Sequence, residues 1–118
     1  MITRDQLQAH FDHTRNVAKW SIDEVCLWGY FFTDHDRTKL LAAAPALEQM
    51  GYRFVGLLDR PSPDDDDKTL IFLHVEREEL HTVDSLHARN QDLYRFADEF
   101  GLESYDGMDV GPLTTGNA

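Results

Sequence analysis

The stretch "TLIFLHVE", Thr69 to Glu76, decides how the chain folds. Thr69, Ile71, Leu73 and Val75 fall on one side of an extended chain, and Leu70, Phe72, His74 and Glu76 on the other. A period of two means a strand, because successive side chains of an extended chain point to opposite faces. The first set suits a surface lying under helices. The second is mixed, as on a sheet face that is only partly covered. Such a strand belongs to a two-layer arrangement whose other parts must lie to either side of it.

Upstream, "EVCLWGYFF", Glu24–Phe32, is short and rich in β-branched and aromatic residues, hence a strand, and it is apolar enough to be covered on both faces. Asp34 is placed to cap a helix over about residues 35–50, with Leu40, Leu41, Ala44, Leu47 and Met50 as its apolar positions. Pro45 lacks an amide hydrogen and opposes the carbonyl of Leu41, which predicts a kink or break near Ala43–Ala44. Gly51 stops this helix, and a strand follows over Tyr52–Asp59. "RPSPDDDDK", residues 60–68, has two prolines and four consecutive aspartates and is a solvated connection.

Downstream, a helix runs from Thr82 or Val83 to Phe100, with Leu86, Leu93, Phe96, Ala97 and Phe100 on one stripe and Gly101 at its end. "ESYDGMDV", Glu103–Val110, is a short fourth strand. At the other end, residues 3–17 form a leading helix. Thr3 and Gln6 have capping-box spacing, Leu7 and Phe11 make its stripe, and Ile2 and Val17 flank it. The chain is one domain, with a core over about residues 23–111 and a frayed tail at 112–118. A helix followed by β-α-β-β-α-β packs most simply as a split βαβ sandwich, α+β, with two helices on one face of a four-stranded sheet. The leading helix is the natural cover for part of the other face.

The 118 residues include 22 acidic and 11 basic side chains, a net charge of −11. That balance repels phosphate backbones and anionic membranes and suits a basic partner. A lone cysteine, Cys26, excludes an intrachain disulfide and fits a cytoplasmic location, as does the lack of any long apolar run. His10 and His13 are three apart on a helix, but no Cys/His spacing completes a metal set. His35 lies between Asp34 and Asp36, where the acids serve as helix caps. Cys26 sits among Val25, Leu27 and Trp28 with no histidine base nearby, so a buried thiol is predicted. Asp106 and Asp109 lack the alternating acids and closing glutamate of a calcium loop. No phosphate loop or nucleophile elbow occurs, and neither an enzyme nor a cofactor is predicted. Phe72 and His74 on an open sheet face invite comparison with base-stacking RNA-binding strands, but the flanks in "KTLIFLHVEREE" are not basic.

The segments "WGYFF" (Trp28–Phe32), "ALEQMGY" (Ala46–Tyr52) and "DLYRFADEFGLESYDGMDVG" (Asp92–Gly111), with the acidic inter-strand loop, resemble the RraB family of regulators of ribonuclease E activity. The resemblance covers about residues 20–111 and is sharpest at Tyr105-Asp106-Gly107. At the next position, often Trp in the family, this chain has Met108. The resemblance implies a ferredoxin-like two-layer sandwich, βαββαβ with a four-stranded antiparallel sheet, preceded here by the extra helix. It also implies non-catalytic inhibition of the endonuclease by binding its scaffold region, which is rich in basic segments. Expected contact groups are Asp64, Asp65, Asp66 and Asp67 of the loop, and Glu76, Glu78 and Glu79, with exposed aromatic residues as anchors. Two other readings stay open: a small-molecule-binding or enzymatic ferredoxin-like domain using the open sheet face, and a generic acidic protein-interaction module, immunity-like or a nucleic-acid mimic.

Overall fold

The computed structural model describes residues 2–18, 22–61 and 68–111. Along the chain run α1 (Arg4–His13), a π-helical turn (Thr14–Ala18), β1 (Cys26–Asp34), α2 (Arg37–Gln49), β2 (Arg53–Pro61), β3 (Thr69–Glu79), α3 (Val83–Glu99) and β4 (Ser104–Gly111). The strands make one four-stranded antiparallel sheet in the order β2-β3-β1-β4, the ferredoxin-like α+β sandwich. The Asp64–Asp67 loop and the tail at 112–118 lie outside the described residues.

Alternation in the two central strands builds the core. Trp28, Tyr30 and Phe32 on β1 and Ile71, Leu73 and Val75 on β3 are buried together with Leu40, Ala43, Ala44 and Leu47 of α2 and Leu86, Leu93, Phe96 and Ala97 of α3. Side chains at the intervening β3 positions, Leu70, Phe72, His74 and Glu76, are only half-buried, so the opposite sheet face is the open one. Both longer helices begin as local chemistry dictates. Asp36 accepts from the Thr38 amide at the start of α2, and Thr82 and Ser85 exchange hydrogen bonds in a capping box at α3. Gly51 and Gly101 leave α2 and α3 in the left-handed region, at φ 101° and 68°.

Three expectations are corrected and a fourth is narrowed. β1 runs two residues later than its pattern predicted, which makes Asp34 the strand's last residue rather than the helix cap. The buried Asp34 carboxylate instead accepts the amides of Asp36 and Glu103, tying the β1–α2 turn to the start of β4. Helix α2 continues through Pro45 without a break, because the ring lies on its exposed side while Leu40, Ala43, Ala44 and Leu47 hold the opposite side to the sheet. Leu41, Met50, Val17 and Phe100, assigned to apolar stripes, are exposed; a stripe one residue wider than the buried arc cannot be covered entirely. Finally, α1 reaches only the β4 end of the open face, where Ile2, Gln6 and Leu7 line a depression with Phe31, Asp106 and Gly107, and leaves the rest uncovered. It packs beside α3, where Phe11 stacks on Trp28, the Ile2 amide donates to Tyr94 Oη at 2.9 Å, and Arg4 pairs with Asp84.

Candidate functional site

The Tyr105-Asp106-Gly107 signature builds an irregularity in β4. Phe32 pairs with Tyr105 and Phe31 with Gly107, so Asp106 is an extra residue with no partner on β1. Tyr105 turns to the helical face, packs on Phe32 at 5.2 Å, and donates its hydroxyl to the buried Asn90 Oδ1 at 2.6 Å. Gly107 has φ 129°, a conformation that L side chains rarely adopt. The bulge sends the Asp106 carboxylate onto the open face beside Phe31. There it accepts no hydrogen bond and has no cationic partner among the described residues. Partial burial raises its pKa above the ordinary aspartate value.

Around Asp106 the open face has an aromatic floor. Phe31 stacks on His74 with centroids 4.4 Å apart, and Arg60 lies 5.9 Å over the Phe72 ring. Val55 and Leu58 on the edge strand β2 are 47% and 48% exposed, which continues the apolar surface to the rim. One shallow depression of about 350 Å³ is lined by Phe31, Leu58, Arg60, Phe72 and Asp106. Another of about 250 Å³ lies over Gly29, between His74, Glu76 and Asp109. A Cβ at Gly29 would come 2.5 Å from Asp109 Oδ1 and 2.8 Å from His74 Nε2, so its bare backbone is what lets those side chains lean over the strand. Depressions this open suit the side chains of a partner better than an enclosed small molecule.

The predicted acidic run on β3 is divided by the strand's own period. Glu76 and Glu78 belong to the open face, Glu76 paired with Arg53 and Glu78 exposed. Glu79 points to the helical face, and its side chain is 9% exposed. Its carboxylate accepts from Tyr30 Oη and Arg89 Nη1, both at 2.7 Å, and sits 3.0 Å from His81 Nε2. Arg77 approaches the other oxygen at 3.3 Å. Burial alone would raise this carboxyl, but hydrogen bonds from His81, Tyr30 and Arg89 outweigh it and bring the pKa to about 2. Burial and the neighbouring Glu79 push the Tyr30 hydroxyl far up, so it stays a donor. Arg89 also lies over the Tyr30 and Tyr52 rings. With its acceptor sites occupied from several sides, Glu79 is a clamp between β1, β3 and α3.

The thiol and two of the histidines have structural settings away from the open face. Cys26 is buried, donates towards the Glu24 carbonyl at 3.2 Å, and burial pushes its thiol pKa up. His35 pairs with Glu103, and His81 belongs to the Glu79 clamp. Among the described residues, no group of three or more His, Cys, Asp or Glu could hold a metal ion. Among the described residues, no helix is long and apolar enough to cross a membrane.

Fold and site together define a small ferredoxin-like α+β domain whose sheet is covered on one face and open, aromatic and acid-rimmed on the other. The chain belongs to the RraB family, Regulator of ribonuclease activity B, whose profile matches residues 11–110. Comparison with individual curated proteins finds no match.

Proposed function

We propose that this protein is a non-catalytic regulator that binds the scaffold region of ribonuclease E in the cytoplasm and slows RNA degradation. Membership of the ribonuclease-regulator family carries the reading. The net charge of −11 supports it, since the scaffold region that the resemblance points to is rich in basic segments. So do Glu76 and Glu78 on the uncovered face, which with Asp64–Asp67 are the proposed contact carboxylates. Purified protein titrated into a ribonuclease E cleavage reaction should slow the full-length enzyme and leave a version without its scaffold region unaffected. An unchanged cleavage rate with the full-length enzyme, at saturating protein, rejects the reading.

A further inference from the structure

Three carboxylates of the open sheet face, Asp106, Asp109 and Glu78, make no ion pair among the described residues, whereas Glu76, on β3 opposite Gly29, is paired with Arg53. Asp106 and Asp109 are the two of the three that line a depression. Asp106 sits beside Phe31, and Asp109 lies over Gly29, two residues earlier on the same strand. Two residues of strand span about 6.7 Å, which is also the separation of alternate side chains in any extended chain laid along it. Each acid borders its own depression, one floored by Phe31 and Phe72 and the other by the Gly29 backbone and His74. An aromatic ring next to a carboxylate is a favourable setting for a guanidinium, which can stack on the ring while it donates to the acid. The face already shows this preference within itself, because Arg60 lies over Phe72.

Resting on the regulatory reading above, we propose that this face binds an extended basic protein segment with cationic side chains at alternate positions. One cation is seated at Asp106 against Phe31 and the next at Asp109 over Gly29. The β2 side of the face, with the exposed Val55 and Leu58, receives an apolar residue of the same segment. Charge complementarity selects a polypeptide cation over RNA: the aromatic floor would stack bases, but the rim beside it is acidic and the chain has a net charge of −11. Spacing distinguishes the proposal from general attraction to positive charge, since only alternate cations reach both acids at once.

The test uses the full chain and fluorescently labelled peptides of about 12 residues, extended like a strand, followed by anisotropy at about 0.1 M salt. One peptide has arginines at alternating positions; another has the same composition with its arginines grouped in adjacent pairs separated by two other residues, so that none lie two positions apart; a single-stranded RNA of similar length is the third probe. The alternating peptide should bind at least about fivefold tighter than the grouped one, and D106N/D109N should weaken it by about tenfold. E48Q/E99Q, on the exposed surfaces of α2 and α3, removes the same charge and should change binding by less than about twofold. Equal affinity for both peptides, equal effects of the two double variants, or tighter binding of the RNA overturns the proposal. Asp106 and Asp109 are both exposed, and an unchanged thermal midpoint verifies that the variant is folded. The same proteins are then compared in the ribonuclease E reaction. Inhibition that survives D106N/D109N removes the face and leaves the regulatory reading standing. Peptide discrimination without inhibition supports the face and removes that reading.

Discussion

Glu79 shows how much the role of a single side chain depends on partners distant in the chain. In sequence it is one of several acids in "EREE" and looks like part of a solvated patch. Period two would have placed it with Arg77 and opposite Glu76 and Glu78, but only folding brings Tyr30, His81 and Arg89 to its oxygens. E79Q is expected to lower stability by about 2–3 kcal/mol, measured by urea unfolding, because it leaves the half-buried Arg89 against two rings without its counter-charge. The water access of Arg77 and Arg89 keeps the loss below what the full pKa displacement would give. The pH dependence follows from the direction of that displacement. A folded pKa of about 2 against 4.5 means that the ionised carboxylate stabilises the fold above about pH 4.5, and that this contribution is lost as pH falls towards 2. E79Q should therefore show a flatter acid limb over that window than the wild-type chain; parallel limbs would contradict the assignment. At Gly107, φ 129° is strained for any other residue, and G107A should cost about 1–3 kcal/mol by the same assay.

The elements were legible wherever periodicity and caps agreed. β3 and α3 match their patterns because Ile71, Leu73 and Val75, and Leu86, Leu93, Phe96 and Ala97, are the residues the core uses. Thr3 with Gln6 and Thr82 with Ser85 form both halves of a capping box. The misreadings have a shared cause, which is that tertiary packing overrides a local rule. Pro45 is a helix breaker by its own chemistry, yet the buried face of α2 is continuous across it. P45A is expected to raise stability by about 1–2 kcal/mol, since it restores an amide donor for the Leu41 carbonyl at an exposed site. The check is a higher urea midpoint with an unchanged slope. For α1, the stripe of Leu7 and Phe11 announces an amphipathic helix but says nothing of which surface it will cover. Trp28, Tyr94 and Asp84 decide that by offering a ring, a hydroxyl and a carboxylate beside α3.

For the whole molecule, a net charge of −11 acts on folding and on binding with opposite sign. Screening relieves self-repulsion in the folded chain, so its thermal midpoint should rise modestly between about 0.05 and 0.5 M salt. The exposed pairs such as Arg15–Asp23 and Arg37–Asp59 each contribute too little to reverse that trend. Over the same range the affinity for a cationic segment should fall, and binding indifferent to salt would contradict the electrostatic component. Sequence alone determined the element order, the sheet's covered and open faces, the capping box of α1 and the acidic character, because each follows from short-range periodicity or from composition. It also marked Tyr105-Asp106-Gly107 as the distinguishing segment. Only the tertiary structure decided what that segment does. The bulge, the burial of Tyr105 against Asn90 and the placing of Asp106 beside Phe31 arise from pairing across the sheet. Such pairing joins residues more than seventy positions apart and leaves no local pattern from which it could have been read.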